Sequence, residues 1–163
     1  MIALQIAEAL FSEAENTTQE GLPFDRAILE RAAQETLQRL RPGSELDLSI
    51  VLSDDEQLQT LNRQFLGIDA PTDVLSFPAD EPEPDPDSRV QYLGDILISY
   101  PRAMAQARAG GHALVDELRL LVVHGVLHLL GYDHATQDEK AAMWSVQAEI
   151  LTRLGSSVTI PPG

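Results

Sequence analysis

Three of the chain's four histidines fall in the stretch "HGVLHLLGYDH", from His124 to His134, and the chain has no cysteine. On a helix His124 and His128 stand one turn apart on the same face, with Cβ atoms about 6 Å apart, so one cation reaches both rings. Gly131 stands where such a helix should stop. A glycine in the left-handed conformation turns the chain back there and brings His134 toward the same point. Three imidazoles with a fourth position left open are the ligand set of a catalytic zinc site, with Zn–N bonds of about 2.1 Å, rather than of a closed structural one. Neutral ligands leave the zinc its double charge, which favours phosphate and lowers the pKa of a bound water to about 7.

The spacing also matches the ligand scaffold of the H-E-x-x-H-x-x-G-x-x-H metalloproteases, with Gly131 in the glycine position. Their general-base glutamate, however, falls on Gly125, which has no side chain to take a proton. A carboxylate near the metal would orient water or the second nitrogen of a ligand. Asp133, next to the third histidine, and Asp95, in "YLGDILIS", are candidates for that catalytic role. Asp73, in "PTDVLSFP", reads more simply as a cap on backbone amides. His112 follows a Gly-Gly pair without a partner at ligand spacing and reads as solvated. Tyr132 reads as a packing residue, and Met143 and Trp144 as core.

These residues need elements to position them. "IALQIA" alternates Ile2, Leu4 and Ile6 as a short strand, although "AEALFSEAE" beyond it has helical character. From Asp25, "DRAILERAAQETLQRL" lines up Ile28, Leu29, Ala32, Ala33, Leu37 and Leu40 as a helix, which Pro42-Gly43 stops. "ELDLSIVL" alternates at period two as a half-buried strand. Ser53 and Glu56 then make the S-x-x-E pattern of a capping box, opening a helix that runs to Gly67. "TDVLSFP" and "YLGDILIS" read as strands, separated by "ADEPEPDPDSR", an extended solvated loop in which acids alternate with prolines. Ser99 and Pro101 open a short helix ending at Gly110-Gly111. Leu114 to Leu130 is apolar nearly all round, a central buried helix whose polar exceptions include the histidines. Thr136 and Glu139 cap a last helix ending at Gly155, and "SSVTIPPG" is a frayed tail. The expected fold class is α+β: a mixed sheet of about four strands with about five helices, the central one carrying the metal ligands.

With 163 residues, 44% of them apolar, and no linker or repeat, the chain is expected to be one domain spanning 1–163. The net charge of −15 repels DNA and anionic membranes, so a nucleic-acid site must be local. The N-terminus lacks the charged start and apolar run of a signal peptide, and no apolar stretch is long enough to span a bilayer, so a cytoplasmic protein is expected.

"HGVLHLLGYDH" together with "PTDVLSFP" and "YLGDILIS" resembles the YbeY-type rRNA maturation factor family in order and spacing from Leu61 to His134. The resemblance implies an α+β domain, one zinc per chain on His124, His128 and His134, and a single-strand-specific endoribonuclease. It also implies partnership with ribosomal RNA, particularly the 3′ end of the small-subunit RNA, with the small subunit or its proteins, and a role in ribosome quality control. One departure stands out. Where the family has Tyr-Arg-Gly, this chain has Phe65, Leu66 and Gly67, so the arginine that lines the family's RNA groove is missing. Arg63, nearly one helical turn earlier, is the candidate substitute. Two other readings remain: a zinc peptidase, opposed by the missing glutamate, and a noncatalytic ribosome-assembly module held together by its zinc.

Overall fold

The computed structural model describes residues 2–6, 24–79, 90–156 and 158. The four apolar alternations become β1 (Ile2–Ile6), β2 (Glu45–Ser53), β3 (Val74–Pro78) and β4 (Val90–Ser99), one sheet in the order β1-β2-β4-β3. β1 and β4 run parallel to β2, and β3 lies antiparallel to β4 at an edge. The helices are α1 (Arg26–Leu40), α2 (Asp55–Leu66), α3 (Tyr100–Gly110), α4 (Leu114–Leu129) and α5 (Gln137–Arg153). The fold is the α+β arrangement that the sequence predicts. "AEALFSEAE", the acidic stretch 80–87 and most of "SSVTIPPG" lie outside the described residues. No described helix is long and apolar enough to cross a membrane.

Because strand side chains alternate, the sheet presents two distinct faces. Leu4, Ile50, Ile96 and Ile98 face the main core, which they share with α1, α4 and α5. Leu75 and Leu97 point the other way and meet Leu58 of α2. Each fully buried Leu or Ile contributes about 1.5–3 kcal/mol relative to exposure. The main core therefore fixes α4 against the sheet, and α2 holds β3 from behind.

One helix start differs from the expectation. Asp54, not Ser53, caps α2, accepting from the Gln57 N–H at 2.7 Å. The reason is that Ser53 is still in the sheet, paired with Ser99 and fully buried, so its backbone is committed to the ladder. Its hydroxyl instead meets the Gln57 side chain. Elsewhere the caps are as read: Ser99 accepts from the Arg102 N–H of α3 and Thr136 from the Glu139 N–H of α5.

Candidate metal centre

α4 lies unusually close to the sheet because Gly125 has no Cβ. One built there would stand 2.7 Å from Ile96 Cγ2. The close approach lets Ser76 Oγ of β3 donate to the Gly125 carbonyl at 3.1 Å. It also sets His124 and His128 beside the edge strand. α4 then ends at a glycine: Gly131 has φ 98°, and the Gly131 and Tyr132 N–H groups bond back to the His128 and Leu127 carbonyls. That reversal delivers His134, and one nitrogen from each of the three histidines falls within 4.8 Å of the others.

The donor set fits a metal ion. His124 Nδ1 lies 3.1 Å from Gln147 Oε1, an acceptor, so the ring carries its proton on Nδ1 and presents the Nε2 lone pair. That Nε2 faces His128 Nε2 at 3.1 Å. Ligands about 2.1 Å from a tetrahedral zinc are spaced at about this distance. Burial, and then the charge of His128, bring the His124 pKa down to about 4, so at neutral pH the His124 ring is uncharged and free to act as a ligand. His128 is lowered as well, first by burial and then by His134.

The triad opens on a groove of about 760 Å³ bounded by β3, Leu66 of α2, Leu120 and Leu121 of α4, and Lys140 and Trp144 of α5. Asp73 lines it too. Its Oδ2 accepts from Gln106 Nε2 at 3.5 Å, and burial pushes its pKa up. Asp133 is exposed and accepts from the His134 N–H at 2.7 Å, so it steadies the third histidine through the backbone.

Asp95 is not brought to this site. It precedes Ile96, which faces α4, so alternation turns it to the opposite face, where it bonds the Tyr92 hydroxyl. Arg63 is likewise outside the groove lining, exposed on α2, whereas Leu66, one turn on, is in it. His112 is not solvated: its Nε2 lies 2.5 Å from Glu117 Oε2, with the two side chains 16% and 2% exposed. Glu117, pushed up by burial, needs that partner, and the chain leaving α3 at Gly111 supplies it. Trp144, read as core, is a wall of the groove, whereas Met143 beside it is fully buried.

Sequence reasoning missed Gln147, Lys140 and the groove role of Trp144. Their signal was present, since positions 140, 144 and 147 share one face of a helix already bounded by Thr136. Gln147 is fully buried with Nε2 unpartnered, so its one bond is to His124. Replacing Gln147 by Leu is expected to weaken metal affinity by about 10- to 100-fold. Trp144, the sole tryptophan, reports the titration, its ring centroid lying 5.9 Å from that of His124 and 5.5 Å from that of His134. Unchanged affinity would remove the amide from any role in orienting the ring.

Fold and site together define a class: an α+β protein with three imidazoles lining a surface groove and placed to hold one metal ion. The family model described as Endoribonuclease YbeY matches residues 13–155. Among relatives, Endoribonuclease YbeY of Acidothermus cellulolyticus is 41% identical over 145 residues, 85% of this chain and 88% of that one. The protein of the same name from Pelotomaculum thermopropionicum is 48% identical over 128 residues, 78% of this chain and 84% of the other. The solution structure of TM1509 from Thermotoga maritima superposes with a TM-score of 0.56 at 25% identity, over 94% of this chain and 89% of its own. The chain belongs to the YbeY family.

Proposed function

We propose that this protein is a metal-dependent endoribonuclease cutting unpaired RNA, with His124, His128 and His134 holding one zinc per chain. The observation that carries this reading is the convergence of the three ligand nitrogens on a groove in a chain of this family. A bound divalent cation supplies Lewis acidity at phosphate and a water of lowered pKa. The chain's own residues do the rest. Gln147 fixes the His124 ring, Asp133 steadies His134, and Lys140 is the positive side chain lining the groove. Asp73, its carboxyl raised by burial, is the lining carboxylate suited to take a proton from the attacking oxygen. The family resemblance supports small-subunit ribosomal RNA as substrate, the small subunit as partner and the cytoplasm as location.

The edge strand weighs against a peptidase. Ser99 N–H bonds the Asp73 carbonyl and Ala79 N–H the Leu93 carbonyl, which sets the phase of the β3–β4 ladder. Val74, Ser76 and Pro78 therefore turn their backbone groups outward, toward any added strand. The Val74 carbonyl already accepts from the Thr72 hydroxyl at 3.3 Å, and Pro78 has no N–H to donate. Of the three, Ser76 alone keeps both its N–H and its carbonyl for an extended peptide.

Bound metal and cleavage of a labelled single-stranded RNA, measured together, test the proposal. A protein that holds metal but leaves the RNA intact would favour the noncatalytic assembly module. Cyclic phosphate ends on the products would identify the 2′-OH as nucleophile; plain phosphate ends would identify water. Leu66→Arg should restore a guanidinium to the groove, lowering KM for RNA several-fold and steepening the log–log salt slope by about one unit. Arg63→Ala should change KM by less than about twofold, because a lone exposed charge away from the groove gives little. A large loss in Arg63→Ala would restore it as the substitute for the missing arginine.

A further inference from the structure

Leu66 belongs to two features at once. It lines the groove, and with Phe65 and Ile68 it forms an exposed apolar patch at the end of α2, the three being 57%, 66% and 53% exposed. The Phe65 ring packs edge-on against Phe77, with centroids 5.5 Å apart and planes at 66°. The turn that follows is pinned as well: Gly67 N–H bonds the Arg63 carbonyl, and Asn62, 5% exposed, donates to the Ala70 carbonyl at 3.0 Å. An exposed aromatic packed along one edge and next in the chain to the groove-lining Leu66 is a partly preorganised contact.

Charge says what occupies it. The chain carries −15, and among the described residues the groove lining has one cationic side chain, Lys140. Counterion release, which dominates the affinity of basic RNA-binding proteins, is small here. A single strand must then gain affinity from its bases, and base–aromatic stacking contributes about 1–3 kcal/mol per base. We infer that Phe65 is a stacking platform for an unpaired base of the RNA substrate, reached from the metal centre across Leu66. The inference rests on the RNA-cleaving reading of the same groove.

Binding of a labelled unstructured RNA of about 12 nucleotides to the metal-loaded protein, followed by anisotropy over a range of salt, tests it. Phe65→Ala should weaken binding by about 5- to 100-fold and Phe65→Trp should retain it, with a log–log salt slope no steeper than about −2. Phe65→Ala binding within about twofold of wild type would overturn the platform even if the enzyme cuts RNA normally; that is also the result if a protein partner covers the patch. A wild type that binds in this Phe65-dependent way without cutting would sink the nuclease reading and leave the platform standing. A salt slope of about −6 or steeper would show that phosphate contacts carry the affinity, against the inference.

Discussion

Replacing His128 with alanine should strip the metal and abolish RNA cleavage together. Losing a ligand from a three-imidazole set removes the ion's several kcal/mol of charge stabilisation, about a thousandfold or more in rate. His124→Ala should do the same and also weaken the fold. His124 is the one partner of the Gln147 amide, whose Nε2 is already unpaired in the interior. Removing the ring orphans the whole group, a cost of about 1–3 kcal/mol and roughly 3–10 °C in Tm for a chain of this size. Among the described residues no buried amide depends on His128, whose one side-chain hydrogen-bond partner is His124, so the two variants separate loss of metal from loss of stability. Elemental analysis, RNA cleavage and a thermal melt on each variant are the measurements. Stoichiometric metal and normal cleavage in His128→Ala would refute the assignment of the centre.

Gly125→Glu should fail to fold rather than acquire peptidase activity. In the metalloprotease scaffold the position of Gly125 carries the general-base glutamate. In the structure that position faces the sheet. A Cβ there would lie 2.7 Å from Ile96 Cγ2 and 3.1 Å from its Cδ1, and Ile96 is fully buried. A carboxylate extending from it enters the apolar core unpaired, at a cost of several kcal/mol. Gly125→Ala isolates the steric part: overpacking of about 1–3 kcal/mol, offset by about 1 kcal/mol of helix propensity. Denaturant titration and a casein assay decide the matter. A stable Gly125→Glu protein that hydrolyses casein would show that α4 can rotate this position into the groove.

Much of the architecture was legible because its signals are local. Period-two alternation marks β1, β2 and β4, and cap residues mark where α3 and α5 begin. The slip at Ser53 shows where local signals compete. Ser53 and Glu56 satisfy a capping pattern, but pairing with Ser99 across the sheet claims Ser53 for β2, and Asp54 takes the cap instead. No reading of neighbouring residues weighs a ladder partner forty-six positions away.

The histidine cluster lay entirely within the reach of sequence, since helix pitch fixes His124 over His128 and one glycine turns the chain to His134. Which other side chains attend it was decided by tertiary structure. Asp95 is lost to the site because strand alternation and the side on which α4 packs turn it away. Gln147 and Trp144 enter because α5 crosses α4 at the triad. His112 is paired because Glu117 is buried by packing. Spacing along one element is a property of backbone geometry and is written in the sequence. Which faces of different elements meet depends on how all the apolar surfaces are buried at once, and that is settled only in the folded chain.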